Sequence, residues 1–150
     1  MARRFALVLA AALLLGAAGG AVHAQGAPVT TVDVQGVPVH PVQYGFIYTS
    51  SLTTTDVLLQ DGSRGELWMF EGTAGQCTEI IMKSSEFDAY LVLRQNAPFG
   101  AIVAEDDDSG GGTDALIRMR LPATDTYFIT ASSYSSGQVL GRYSLDLDRC

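Results

Sequence analysis

The chain is 150 residues long and acidic, with 16 Asp and Glu against 9 Lys and Arg for a net charge of −7, and 47% of it is hydrophobic. That length suits one domain with a real core. A negative surface repels phosphate backbones and anionic headgroups, which excludes nucleic acid and membrane surfaces as partners.

In chain order, Arg3 and Arg4 precede an apolar run from Phe5 to Ala18, and Val22-His23-Ala24 places small residues where a signal peptidase reads them. Cleavage after Ala24 is expected, giving an exported protein, secreted or periplasmic. It removes Arg3 and Arg4 and leaves 126 residues with seven basic and sixteen acidic side chains, a net of −9. Residues 25–41 are rich in Gly, Pro, Val and Thr with no sustained period, and read as an extended leader that either adds an edge strand or stays loose.

A single domain over 42–150 follows. Strands are expected at Val42–Thr53, Gly65–Glu71, Gln76–Lys83, Ala89–Gln95, Ala101–Ala104, Ala115–Leu121 and Thr126–Ser132, and around Tyr143, Leu145 and Leu147. Turn residues separate them, as at Asp61-Gly62-Ser63, Gly72-Thr73-Ala74-Gly75 and Pro122-Ala123-Thr124-Asp125. No segment after residue 24 has a helical period long enough to count. About eight short strands with regular turns imply an all-β, antiparallel β-sandwich.

Cys77 and Cys150 stand 73 residues apart. An even pair in an exported protein points to a disulfide, which on the chain-entropy model stabilises by roughly 4 kcal/mol. The alternative is a buried Cys77 and a terminal thiol free to pair between chains. Neither cysteine has a CxxC partner, so zinc and thioredoxin-like chemistry lack their ligands.

The chemically loaded stretch is the loop from Glu105 to Asp114, with Asp106, Asp107 and Asp108 beside Gly110, Gly111 and Gly112. Calcium takes six to eight oxygens, and Glu105, Asp106, Asp107, Asp108 and Asp114, joined by Asp88 across the loop, form a candidate set. The spacing is not that of an EF-hand, because Ile117 stands where its last glutamate belongs. The alternative is a solvated turn in which Asp and Ser cap backbone N–H groups and the glycines serve positive φ. Arg94, Arg118 and Arg120 are candidates for an outward basic strip that contacts an acidic partner, or for side chains that solubilise a wet face and pair with neighbouring carboxylates. Trp68 shares a face with Phe70 and belongs to the core, as do Tyr90, Tyr127 and Tyr143, with their hydroxyls at the sheet rim. His40 alone remains after cleavage, which leaves no base for a Ser-His-Asp or Cys-His arrangement and too few ligands for zinc. No GxSxG, HExxH or Walker-type loop occurs.

The succession Trp68-Met69-Phe70-Glu71-Gly72, Phe87-Asp88-Ala89-Tyr90-Leu91, Asp106-Asp107-Asp108-Ser109-Gly110, Leu121-Pro122-Ala123-Thr124-Asp125-Thr126-Tyr127 and Gly141-Arg142-Tyr143-Ser144-Leu145 resembles the bacterial pre-peptidase C-terminal domain. The likeness covers roughly Thr49 to Asp148. It implies a jelly-roll-like β-sandwich of the kind usually appended to secreted peptidases, similar to the collagen-binding domains of clostridial collagenases, some of which bind calcium. Two departures stand out: the N-terminal apolar segment leads straight into the domain with no peptidase between, and residues 25–55 offer only Asp33 where the calcium-binding relatives carry an acidic segment.

These readings lead to a non-catalytic, exported binding module for an extracellular or periplasmic protein or polymer, with calcium as a candidate stabiliser. An accessory or chaperone-like factor for a secreted hydrolase is the alternative. A glycoside hydrolase ranks third, since acidic residues abound but nothing places two across a cleft.

Overall fold

The computed structural model describes residues 24–25, 29–135 and 137–150, so the signal segment up to His23 lies outside the described residues. The protein is a sandwich of two β-sheets. Its strands in chain order are β1 (Ala24–Gln25), β2 (Val32–Val34), β3 (Val37–Pro41), β4 (Phe46–Leu52), β5 (Val57–Leu58), β6 (Arg64–Gly72), β7 (Cys77–Lys83), β8 (Ala89–Gln95), β9 (Ala101–Asp106), β10 (Ala115–Arg120), β11 (Asp125–Ser133) and β12 (Gly141–Arg149). No helix occurs among the described residues. The eight strands expected from alternation are β4 and β6 to β12, and the four additional strands are short.

One sheet has the order β1-β4-β12-β7-β10; the other runs β2-β3-β6-β11-β8-β9, with β5 also on β6. Pairing is antiparallel except for β1 on β4 and β3 on β6. The two-residue period of each strand dictates the packing. Tyr143, Leu145 and Leu147 of β12 face Ala89, Leu91 and Leu93 of β8 and Tyr127, Ile129 and Ala131 of β11, all buried in one cluster with Trp68 and Phe70. A Leu or Ile fully withdrawn from water in this way contributes about 1.5–3 kcal/mol.

The residues before 42 do not stay loose. Gln35 and Gly36 both take positive φ (57° and 83°), the signature of a two-residue type I′ turn, and fold β2 against β3. β3 then runs beside β6, pairing Val39 with Leu67 and His40 with Trp68. Val39 is fully buried and joins Leu67 and Phe128 in a second cluster on the outer face of the larger sheet. The sheet therefore begins at Val32 rather than at residue 42.

Candidate functional site

Alternation along β6 puts Glu66 on the same face as Trp68 and Phe70, so a carboxylate points between the sheets. Its surroundings are built to hold it. The Tyr143 hydroxyl donates a short hydrogen bond to Oε2, the Ser50 hydroxyl donates to Oε1 at 3.0 Å, and the His40 Nε2 lies 3.5 Å from Oε1. Trp68 Nε1 donates to the Tyr143 hydroxyl at 2.9 Å, and the His40 ring packs on Trp68 with centroids 4.7 Å apart. Four strands from both sheets thus converge on one acid.

The protonation state follows from the partners. His40 Nδ1 sits 3.0 Å from the Thr30 carbonyl, which can only accept, so that nitrogen carries hydrogen. Nε2 faces a carboxylate that also only accepts. This arrangement favours the imidazolium form of His40. The hydrogen bond to Glu66 raises its pKa above the ordinary value, against burial, with the Thr30 carbonyl adding to the rise. Burial pushes Glu66 up, but the bonds from His40, Tyr143 and Ser50 outweigh it and hold that carboxyl below its usual range. Burial lifts the Tyr143 phenol well above its ordinary value. Beside this cluster, Asp56, raised by burial, lines a cleft of about 260 Å³ with His40, Glu66 and Thr31.

At the opposite extreme of polarity is the acidic loop. Asp106 is its organiser: Oδ2 accepts from the Ser109 N–H (3.0 Å) and the Leu116 N–H (2.8 Å), while Oδ1 accepts from the Ser109 hydroxyl. Gly111 and Gly112 take φ of 94° and 66°, and the Gly110 N–H returns to the Asp114 carbonyl at 2.9 Å. Burial pushes the Asp106 carboxyl up, but the Ser109 and Leu116 donors outweigh it and hold the group low. Glu105 accepts the Tyr90 hydroxyl at 2.9 Å. Among the described residues no three His, Cys, Asp or Glu side chains are placed to hold a metal ion. Of the set Asp88, Glu105, Asp106, Asp107, Asp108 and Asp114, Asp106 caps the turn and Glu105 accepts the Tyr90 hydroxyl.

Asp88 adjoins this loop. Its Oδ1 is buried with no hydrogen-bond partner, its carbonyl accepts the Tyr134 N–H at 2.8 Å, and burial and the charges of Asp108 and Asp107 raise its pKa. Tyr134 is exposed and meets Tyr90 edge to face at 5.6 Å. Around them lies a cleft of about 380 Å³ lined by Asp61, Tyr90, Ser133, Tyr134 and Ser135.

The three arginines do not form one strip. Arg94 is on β8 of the larger sheet, where its NH1 donates to Thr130 at 3.0 Å, whereas Arg118 and Arg120 are on β10 at the edge of the smaller sheet. Arg118 pairs with Glu79, its cross-strand partner, and Arg120 donates to the Gly75 carbonyl at 3.0 Å. Cys77 and Cys150 are joined by a disulfide with Cα atoms 5.3 Å apart. The pairing of β12 with β7 sets Arg149 opposite Thr78 and so delivers Cys150 to Cys77.

His40 and Glu66 are what sequence reasoning passed over. Parity along β6 was the available signal for Glu66; nothing in the leader signals that His40 would meet it.

This architecture defines a jelly-roll-like β-sandwich with the fold of the pre-peptidase C-terminal domain. The chain is similar to that domain of a collagenase from Bacillus anthracis, with a TM-score of 0.59 and 13% identity over 77% of this chain and 100% of the other. It is also similar to PliG of Aeromonas hydrophila, a periplasmic lysozyme inhibitor of g-type lysozyme, with a TM-score of 0.55 and 19% identity over 75% and 96%. No family model and no curated protein matches the chain. At these identities the likeness is one of fold.

Proposed function

We propose that this chain is an exported, non-catalytic module that binds a protein outside the cytoplasm. The observation that carries this reading is the state of the His40–Glu66 cluster. Both oxygens of Glu66 and both ring nitrogens of His40 are engaged by groups of the protein itself, so this acid and base, although they line the cleft beside Asp56, hold the sandwich together. A general base needs a free lone pair within reach of the proton it takes. The Cys77–Cys150 bridge suits an oxidising compartment, in line with export.

A second reading, that the partner is a secreted hydrolase, is favoured by what the two similar structures are. One is a domain of a collagenase and the other an inhibitor of a g-type lysozyme. Co-elution of the purified protein with exported hydrolases, a g-type lysozyme among them, tests both readings. A one-to-one complex is the expected result; hydrolysis of glycoside or peptide substrates by the protein alone, lost in Glu66→Gln, would overturn the non-catalytic assignment.

A further inference from the structure

We infer that the cleft between the Asp61 turn and the end of β11 receives a basic side chain, arginine or lysine, of a protein partner. The inference rests on the binding-module reading and specifies the partner's chemistry.

Two features meet there. First, Tyr134 is 57% exposed. It stands edge to face with Tyr90, and the pair offers aromatic surface to solvent beside Asp61. Second, the surrounding charge is negative. Asp61 lies in the cleft, Glu105 accepts the Tyr90 hydroxyl, and Asp107 lies close enough to help lift that phenol to about 12 after burial and Glu105. Asp88, bonded through its carbonyl to the Tyr134 N–H, has a buried Oδ1 without a partner. The Arg94 charge also reaches Tyr90, but its guanidinium is tied to Thr130.

Aromatic faces beside carboxylates select cations, because the ring quadrupole and the acid charges act in the same sense. An acidic polymer would be repelled. A neutral sugar would stack on Tyr134 but gain nothing from Asp61 and its neighbours. A guanidinium or ammonium group satisfies both.

The test uses the full exported protein, 15N-labelled, titrated with N-acetyl-arginine methylamide, N-acetyl-norleucine methylamide and chitobiose. The arginine derivative is expected to shift the amide signals of Asp61, Ser133 and Tyr134 at millimolar concentration. Tyr134→Ala and Asp61→Asn, both at the surface and checked for an unchanged spectrum elsewhere, should each weaken that response by about tenfold, the scale of one cation–π contact or charge pair in a partly dry site. Equal shifts from norleucine or chitobiose, or an undiminished arginine response in both variants, would overturn the inference. Failure here is separable from failure of the proposed function. An exported protein that binds both variants as tightly as the parent removes this cleft from the interface and leaves the module reading standing; arginine binding without any protein complex does the reverse.

Discussion

Glu66 carries the largest share of polar organisation in the protein, since it joins β3, β4, β6 and β12 through His40, Ser50 and Tyr143. Replacing its carboxylate by an amide leaves one oxygen to accept and sets an NH2 donor against either the His40 N–H and Ser50 hydroxyl or the Tyr143 phenol. Glu66→Gln is predicted to lower unfolding free energy by about 2 kcal/mol, the scale of hydrogen bonds to a charged group, as read by urea titration. The pair also shapes the pH profile. His40 has a raised folded pKa, so its contribution is complete below the unfolded value of about 6.5 and fades as pH rises through the folded value. Glu66 has a lowered folded pKa, so its contribution is complete above about 4.5 and fades as pH falls through the folded value. Stability from this pair should therefore peak between those two unfolded values. An NMR titration of the His40 ring is expected to place its pKa above 6.5 in the parent and lower in Glu66→Gln; a pKa at or below the ordinary value in the parent would contradict the imidazolium assignment.

The strand pairings decide what the chain's ends do. Because β12 lies beside β7, the bridge from Cys77 to Cys150 closes a 73-residue separation and constrains the six strands β7 to β12 within it. Its reduction is predicted to cost roughly 4 kcal/mol on the chain-entropy model, measurable as a lower urea midpoint in the reduced protein. At the other end, Val39→Ala should cost about 2 kcal/mol, since the side chain is fully buried against Leu67 and Phe128, and an unchanged midpoint would mean that β3 is not docked. Alternation made β4 and β6 to β12 legible, most plainly β7 and β12, which bury every second side chain. β2 and β3 were legible only in part: Val32-Asp33-Val34 and Val37-Pro38-Val39 alternate around Gln35-Gly36, but prolines at 38 and 41 argue against a strand, although β3 holds both, Pro38 opposite Asp33 of β2 and Pro41 at its C-terminal end beside Met69 of β6. The meeting of His40, Ser50, Glu66 and Tyr143 was not legible at all, since it depends on which strands become neighbours. So does the separation of Arg94 from Arg118 and Arg120. The acidic loop was legible as a glycine-bent turn, while the role of Asp106 in capping Ser109 and Leu116 required the fold.

Across the whole molecule, the acidic end formed by the Glu105–Asp114 loop, Asp88, Tyr90 and Tyr134 faces outward, while the His40–Glu66 cluster, at the edge of its cleft, is engaged by the protein's own groups. Asp106, the organiser of the acidic loop, is already held by Ser109 and Leu116, so the melting temperature is predicted to be the same in millimolar calcium and in chelator. A cation bound at a hundred times its Kd would instead add about 2.7 kcal/mol and raise Tm by several degrees. The same division between an engaged cluster and an open, negative, aromatic end supports the proposed role in recognition. Isothermal titration of exported hydrolases, a g-type lysozyme included, into the full protein at low and high salt tests that most directly. The account predicts one-to-one binding that weakens as salt rises, because carboxylates face a basic partner. Absence of any complex, together with substrate turnover by the protein that disappears in Glu66→Gln, would contradict it.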